Sequence, residues 1–198
     1  MDSDQIAVLF AGKLVGRKAP HLILDAVKLL NESSRARTVV VFLGDGELKE
    51  ALRTLAGAEP KVAIRFAGFQ NQQAISQYYC AGDMLVLPSI RNETWGVVVN
   101  EALYHGLPCV VSDLVGCAPD LIEVGRTGEI FPSGNVDGLA KALERAMGLV
   151  RCADTAARCE QKARTYSVES AAKGIAEAYE AVTTGDLRTP LRHASYPG

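Results

Sequence analysis

The stretch PSIRNETWGVVVNEALYHGLPCVVSD, residues 88–113, indicates how the chain folds. An apolar run of strand length, residues 83–87, comes just before it, and a second such run, residues 109–112, lies near its end. Residues 101–104 are predicted as helix, which the following Gly-Leu-Pro ends. A strand, a loop, a helix and a strand therefore follow one another. This order places the loop at the carboxyl end of a strand, where open parallel sheets bind their ligands.

Gly96, in this loop, is the first indication of what the ligand contains. A glycine lets the backbone approach a ligand closely. The N–H groups in the first turn of the helix that follows have no intrahelical acceptors. Because these donors point out of the end of the helix, they suit a phosphate group. The sequence therefore predicts a phosphate site between the strand and the helix.

Two acidic residues, Glu93 and Glu101, stand on either side of Gly96. Carboxylates repel phosphate, so we expect both side chains to bind hydroxyl groups, which donate strong hydrogen bonds to ionised carboxylates. A ligand with phosphates in its middle and hydroxyls at both ends is a nucleotide sugar. The alternative for an arbitrary pair of glutamates is two solvated charges on the surface of a helix.

A basic loop, GKLVGRKAP at residues 12–20, follows the first predicted strand. Lysines give point charge and glycines let the backbone approach, so this loop suits a diphosphate. Lys13 and Lys18 are the predicted phosphate contacts, and Arg17 is the weaker candidate. The loop is not a P-loop, because the G-x-x-x-x-G-K-[ST] pattern does not fit it. The alternative is a solvated surface loop.

Strand-length apolar runs alternate with helical patterns along the whole chain. Strands are predicted over residues 6–11, 38–43, 62–66, 83–87, 109–112 and 127–131. Helices are predicted over residues 21–31, 47–56, 71–81, 101–104, 119–124, 136–150, 152–164 and 168–182. This alternation is typical of an α/β fold with a doubly wound, Rossmann-like parallel sheet of about six strands and helices on both faces. We expect one domain over residues 1–184 and a flexible tail over residues 185–198.

The composition excludes several classes of protein. Of the 198 residues, 48% are hydrophobic and 22% are charged, which is enough apolar material for a full core. A net charge of -2 argues against a nucleic-acid partner. The sequence has no apolar run long enough for a membrane span and no signal peptide, so we expect a cytoplasmic protein. The 5 cysteines form no C-x-x-C pair, which argues against a metal site.

Six motifs occur in an order that resembles a known family: GKLVGRK, FLGDGE, FAGF, DMLVLPS, ETWGVVVNEALYHGLPCVVSD and YSVESAAKGIAEAYEAV. Together they resemble the carboxyl-terminal half of the family 4 retaining glycosyltransferases (group 1), which have the GT-B fold. The resemblance runs from about residue 8 to residue 182. Its most specific part is the Glu-x7-Glu element formed by Glu93 and Glu101.

The resemblance implies roles for the charged residues. Lys13 stands where the family usually has arginine, and Lys18 matches the family's lysine; both would neutralise the diphosphate of the donor as it leaves. Glu93 would hold hydroxyls of the transferred sugar, and Glu101 the hydroxyls of the ribose. Independently of the resemblance, Gly44, in the turn after the second strand, is a further candidate donor contact.

The resemblance also implies roles for the backbone and for the nucleobase pocket. The N–H groups of Gly96, Val97 and Val98 would bind phosphate, and Phe69 and Gln70 lie where the family contacts the base. The implied chemistry retains the anomeric configuration and needs no metal or other cofactor, and fixed positive charge stabilises the leaving group.

Besides the lysine at position 13, two further departures from the family are visible in the sequence. Ala19-Pro20 replaces the glycine that follows the second lysine in the family, which stiffens the loop. The amino-terminal half, which supplies the acceptor site in the family, is not part of the sequence. We expect a separate amino-terminal acceptor domain or polypeptide, which could bring a peripheral membrane or a glycan acceptor. The alternatives are a non-catalytic nucleotide-sugar-binding or regulatory module, or half of a nucleotide-sugar epimerase.

Overall fold

One sheet of parallel strands organises the structure, a computed structural model that describes residues 4–58 and 61–184. Its strands are β1 (Ile6–Ala11), β2 (Thr38–Leu43), β3 (Ala63–Gly68), β4 (Met84–Leu87), β5 (Cys109–Ser112) and β6 (Gly128–Phe131). They lie in the order β3-β2-β1-β4-β5-β6, and every neighbouring pair is parallel. The direction of winding therefore reverses between β1 and β4, which confirms the predicted doubly wound fold.

Helices connect the strands and cover both faces of the sheet, and one more helix follows at the carboxyl end of the described chain. They are α1 (His21–Leu29), α2 (Glu32–Arg37), α3 (Lys49–Gly57), α4 (Gln72–Ala81), α5 (Val97–Tyr104), α6 (Ala118–Leu121), α7 (Val136–Ala146), α8 (Ala153–Thr165) and α9 (Val168–Thr184). Asparagine side chains cap three of them at the amino end: Asn31 for α2, Asn71 for α4 and Asn135 for α7. In each case the side-chain oxygen accepts a hydrogen bond from a first-turn N–H group, which satisfies one orphan donor.

The core lies on the two faces of the sheet, because side chains alternate along each strand. Val8 and Phe10 of β1 pack on one face in a cluster that includes buried residues of α1, α3 and α7. Ala7 and Leu9 pack on the other face in a cluster that includes buried residues of α4, α5, α6 and α8. Burial on both faces explains why the strands are near-continuous apolar runs in the sequence.

Several elements differ from the sequence prediction in their bounds, and two differ in a way that matters for the site or the element order. The short helix α2 was not predicted, because its sequence ESSRAR has no apolar periodicity. Helix α5 begins at Val97 rather than at Glu101, so Glu101 lies about one turn into the helix. Valines favour strands in isolation, but Val99 is fully buried against the sheet, and this packing outweighs the local preference.

The chain divides into two compact units, Met1–Ala163 and Arg164–Gly198. The first contains the whole sheet, and the second contains α9. The predicted tail, residues 185–198, lies outside the described residues, and the single domain over residues 1–184 stays a prediction. Within the described ranges, no helix combines the length and the apolar character that crossing a membrane requires.

Candidate functional site

The loops that follow β1 and β4 meet at the carboxyl edge of the sheet, where the winding reverses. The carbonyl oxygen of Arg17 accepts a hydrogen bond of 2.9 Å from the N–H of Ile90, and Arg17 Nη1 donates one of 3.3 Å to the carbonyl oxygen of Asn92. A crevice at this position is the usual ligand site of doubly wound sheets. The basic loop and the loop that carries Glu93 therefore lie together at this edge of the sheet.

Lys18 and Glu93 form an ion pair across this junction. Lys18 Nζ donates to Glu93 Oε2, and only 11% of the lysine side chain and 10% of the glutamate side chain are exposed. Ser89 Oγ donates a second hydrogen bond, of 2.8 Å, to the same carboxylate oxygen. The carboxylate is thus fixed from two sides, while Glu93 Oε1 makes no hydrogen bond to any residue in the described part of the chain.

The Glu93 loop is held by the chain that follows β5. Gly116 N–H donates to the carbonyl oxygen of Glu93, and Cys117 N–H donates to that of Trp95, both at 2.9 Å. A side chain at Gly116 would not fit, because its Cβ would lie 1.9 Å from the carbonyl oxygen of Thr94. The loop therefore has a fixed backbone, which fixes the position of the carboxylate.

Gly96 turns the chain from this loop into α5. Its φ of 97° lies in the left-handed region that favours glycine. The N–H groups of the first turn of α5, at Val97 and Val98, have no intrahelical acceptor, and no side chain caps them. These donors and the positive end of the helix dipole can bind an anion.

A cavity of about 450 Å³ lies between the two loops and the beginning of α5. Its lining combines two cations, one carboxylate and the first helical residues: Arg17, Lys18, Asn92, Glu93, Thr94, Trp95, Gly96, Val97 and Val98. Arg17 makes no ion pair with any carboxylate in the described ranges, whereas the charge of Lys18 is shared with Glu93. Arg17 therefore contributes uncompensated positive charge to the cavity, although the sequence made it a weaker candidate than the lysines for a phosphate contact.

Lys13 and Gly44 lie outside this lining. Lys13 is exposed and forms no ion pair with any described residue. The N–H of Gly44 already donates to the carbonyl oxygen of Gly68 at 2.7 Å. Gly44 also has a structural reason to be glycine, because its φ is 150° and an added Cβ would lie 1.9 Å from the carbonyl oxygen of Gly12.

Ala19, which occupies the position of the family's glycine, keeps a glycine-like backbone. Its φ of 46° and ψ of 46° are left-handed, and its methyl group is fully buried. Non-glycine residues adopt this conformation only with strain of about 1–2 kcal/mol. The basic loop thus keeps the required turn after the short 3-10 helix Gly16–Lys18 even though alanine replaces glycine.

Phe69 and Gln70 follow β3, two strands away from the cavity along the same edge of the sheet. Phe69 is 79% exposed, which is unusual for so large an apolar side chain and leaves its ring open to contact. Gln70 Nε2 donates a hydrogen bond of 2.7 Å to the carbonyl oxygen of Ala67, so its amide is oriented.

Glu101 lies beyond the lining of the cavity, on the side of α5 that meets α4. Its Oε2 accepts a hydrogen bond of 2.8 Å from the hydroxyl of Tyr79, which is fully buried. Burial, with the charge of Glu101, raises the pKa of Tyr79, so the phenol stays protonated at neutral pH. Nothing in the sequence indicates this contact between Tyr79 and Glu101.

A second cavity, of about 430 Å³, opens on the α4 face of β1, β2 and β3. Its lining is mainly apolar, with Leu9, Val41 and Phe66 among its residues and Arg65 as its charged group. It contains neither a helix N-terminus nor a cluster of cations, so it does not suit a diphosphate. Among the described residues, no group of three or more His, Cys, Asp or Glu side chains is arranged to hold a metal ion.

The strand order and the cation-lined cavity at the reversal of winding define a doubly wound α/β domain that can bind an anionic ligand. The family is shown by sequence: the profile described as "Glycosyl transferases group 1" matches residues 1–166. The chain therefore belongs to the group 1 glycosyltransferases. Its more specific assignment to family 4 stays a prediction.

Curated relatives of the chain are glycosyltransferases. The sulfoquinovosyl transferase SQD2 of Arabidopsis thaliana is 36% identical over 139 residues, which are 69% of this chain and 25% of the relative. The D-inositol 3-phosphate glycosyltransferase of Streptomyces bingchenggensis is 31% identical over 202 residues, which are 96% of this chain and 44% of the relative. The chain thus spans less than half the length of these relatives.

Solved structures confirm the GT-B type of fold. HepE of Anabaena, solved in complex with UDP-glucose, has a TM-score of 0.73 at 24% identity, and the match covers 90% of this chain and 49% of that one. Sucrose-phosphate synthase from Thermosynechococcus elongatus has a TM-score of 0.75 at 19% identity, with 93% of this chain and 47% of that one covered. Each match covers about half of the solved chain.

Proposed function

We propose that the chain is the donor-binding half of a retaining, metal-independent glycosyltransferase that transfers a sugar from a nucleotide-diphosphate sugar to an acceptor. The observation that carries the proposal is the single cavity into which Lys18, Arg17 and the uncapped first turn of α5 face. Membership of the group 1 family supports the reaction class. The UDP-glucose bound by HepE supports the class of donor.

In the proposed reaction, the bond between the anomeric carbon and the diphosphate oxygen breaks, and negative charge grows on the leaving diphosphate. Lys18, Arg17 and the N–H groups at the start of α5 stabilise this charge, because they are fixed donors in a partly enclosed site. Lys13, exposed at the beginning of the basic loop, adds a more distant positive charge. Fixed charges of this kind do the work that a metal ion does in other transferases.

The two glutamates bind hydroxyl groups at the two ends of the donor. Glu93 Oε2 is occupied by Lys18 and Ser89, so we assign the sugar hydroxyls to its Oε1. Glu101 binds the hydroxyls of the ribose. Phe69 and Gln70 lie along the same edge of the sheet and contact the nucleobase. Gly44 belongs to the same edge, where its lack of a side chain keeps the backbone accessible.

In the proposed enzyme, the acceptor is bound by a domain or polypeptide other than the residues of this chain. The chain spans 44% of the Streptomyces bingchenggensis relative, so we propose that transfer also requires an amino-terminal acceptor domain or a separate polypeptide. We propose that this half brings a glycan acceptor or a peripheral contact with a membrane. We propose a cytoplasmic location and no nucleic-acid partner. Because the chain spans less than half of this relative, the alternatives are a non-catalytic nucleotide-sugar-binding or regulatory module, or one half of a nucleotide-sugar epimerase.

Donor binding can be tested with the intrinsic fluorescence of Trp95. It is the only tryptophan of the chain and it lines the cavity, so a donor that enters the cavity should change its emission. Titrations with UDP-, GDP- and ADP-sugars, repeated by calorimetry, should identify one preferred base. Lys18→Gln should weaken binding about tenfold or more, as expected for a charge-assisted contact. Failure of all three donors to bind would reject both the transferase and the binding-module readings.

Product formation separates an enzyme from a binding module. The chain is incubated with donor and acceptor alone, and again with the amino-terminal half of a group 1 relative supplied as a separate polypeptide. Activity that appears only in the second mixture supports a donor half that requires its partner. An α-linked product from an α-linked donor, read by NMR, would support the retaining mechanism, whereas a β-linked product would contradict it.

A further inference from the structure

The carboxylate of Glu101 is supported by a buried tyrosine on the neighbouring helix. Tyr79, on α4, is 0% exposed, and its hydroxyl lies 2.8 Å from Glu101 Oε2 on α5. A buried phenol needs a hydrogen-bond partner, and here the partner is charged. This contact links residues that are 22 positions apart in the sequence.

The main chain of Glu101 is supported by a second contact. His105 Nδ1 lies 2.7 Å from the carbonyl oxygen of Glu101, and His105 Nε2 lies 2.6 Å from Ser76 Oγ on α4. Since a carbonyl can only accept, Nδ1 carries a hydrogen and donates it to Glu101, while Nε2 is hydrogen-bonded to the serine hydroxyl. The rings of Tyr79 and His105 also pack together, with centroids 5.2 Å apart. Tyr79 of α4 therefore holds the carboxylate of Glu101, and Ser76 of α4 holds its main chain through His105.

The arrangement leaves one carboxylate oxygen for a ligand. Tyr79 occupies Oε2, while Oε1 of Glu101 makes no hydrogen bond within the described part of the chain. An ionised carboxylate held in one rotamer can accept from neighbouring hydroxyl groups without losing further side-chain freedom on binding. The buried phenol can only support it as a donor, because burial keeps Tyr79 protonated.

We propose that Tyr79 is a positioning residue that holds the Glu101 carboxylate in place for the ribose hydroxyls of the donor nucleotide. This inference rests on the proposed function, in which Glu101 binds the ribose. A purely structural hydrogen bond between α4 and α5 would affect all ligands alike. A positioning role affects only ligands that carry ribose hydroxyls.

The test compares a nucleotide with its 2′,3′-dideoxy analogue, using whichever of UDP, GDP and ADP binds the wild-type chain most tightly. Calorimetry should show the wild type binding the ribonucleotide at least about tenfold more tightly, as expected for hydrogen bonds to a charged group. Tyr79→Phe should weaken ribonucleotide binding about 5- to 20-fold and leave the dideoxy analogue within about twofold. Tyr104→Phe, which removes the hydroxyl of a 64% exposed tyrosine on α5, is the matched control and should behave as wild type.

The outcomes distinguish this inference from the proposed function. If Tyr79→Phe weakens both ligands equally, or lowers only the melting temperature, the contact is structural and the inference is overturned. If Glu101→Gln removes the preference for ribose but Tyr79→Phe does not, the role of Glu101 stands and that of Tyr79 fails. If the wild type itself shows no preference, the ribose role of Glu101 fails, and the inference fails with it. Should Tyr79→Phe not fold, Tyr79→Met, which also removes the hydroxyl and has an adaptable side chain, carries the same test, and an unchanged preference would overturn the inference.

Discussion

Lys18 and Glu93, 75 residues apart in the chain, form an ion pair in which both side chains are about nine-tenths buried. The pair joins the loops after β1 and β4 at the point where the winding of the sheet reverses. A carboxylate in this position competes with any phosphate for the charge of Lys18. The pair therefore sets how much positive charge the cavity offers to a diphosphate.

Glu93→Gln should strengthen the binding of UDP about 3- to 10-fold, because the neutral amide no longer competes with phosphate for Lys18. It should abolish sugar transfer in any reconstituted enzyme, since the sugar hydroxyls lose their charged acceptor. The variant should also be less stable without ligand by about 1–3 kcal/mol, because Lys18 is left buried with a weaker partner. Calorimetry and thermal unfolding with and without UDP measure these effects.

The control for that variant is Glu50→Gln, which removes an exposed carboxylate paired with Arg53 on α3. It lies outside the lining of the cavity, so UDP affinity should not change. Weaker UDP binding in Glu93→Gln would show that Glu93 assists the phosphate site rather than competing with it.

Arg17→Gln should weaken UDP binding about tenfold, whereas Lys13→Gln should weaken it less than about threefold. Arg17 lines the cavity without a carboxylate partner in the described ranges, while Lys13 is exposed outside the lining. A cation in contact with phosphate also makes affinity depend on salt, so the salt dependence should fall in Arg17→Gln. Titrations at two ionic strengths measure both quantities, and a larger loss in Lys13→Gln would restore the role implied by the family resemblance.

Much of the fold could be predicted because its strands are buried on both faces. β1, β2 and β5 have the bounds that the apolar runs indicated, since a strand covered by helices must be apolar throughout. The meeting of Lys18 and Glu93 could also be expected, because both follow strands and the carboxyl ends of parallel strands share one edge.

The remaining features depend on contacts between distant parts of the chain. The choice between Lys13 and Arg17 depends on the 3-10 turn Gly16–Lys18 and on the left-handed Ala19, and neither has a local sequence signal. The contact between Tyr79 and Glu101 depends on how two helices pack, which periodicity alone does not determine.

Gly44→Ala should destabilise the chain by about 3 kcal/mol or more, because the new Cβ would lie 1.9 Å from the carbonyl oxygen of Gly12. The Cβ is bonded directly to the backbone of residue 44 and the oxygen belongs to the backbone of Gly12, so neither can move aside at low cost. The urea midpoint of unfolding is the measurement. Gly57→Ala is the control: it is exposed at the end of α3, nothing lies within 4 Å, and it should be neutral or stabilising by about 0.5–1 kcal/mol.

Stability should fall as the pH rises above about 9, because three of the five thiols are buried and uncharged. Burial raises the pKa of Cys117 and Cys159 to about 12, and that of Cys109 well above its ordinary value of 9.0. Above pH 9 the unfolded chain loses these protons while the folded chain keeps them. The unfolded state is then favoured, by up to about 1.4 kcal/mol per pH unit for each thiol.

Urea unfolding of the reduced protein between pH 8 and pH 10 measures this loss of stability. Cys117→Ser should reduce the loss, because serine does not ionise in this range. Cys80→Ser is the matched control: Cys80 is exposed, so its replacement should leave the pH dependence of the wild type unchanged. An equal pH dependence in all three proteins would mean that the Cys117 thiol ionises as easily in the folded chain as in the unfolded one, contrary to its burial beneath Gly96, whose carbonyl oxygen lies 3.9 Å from its Sγ.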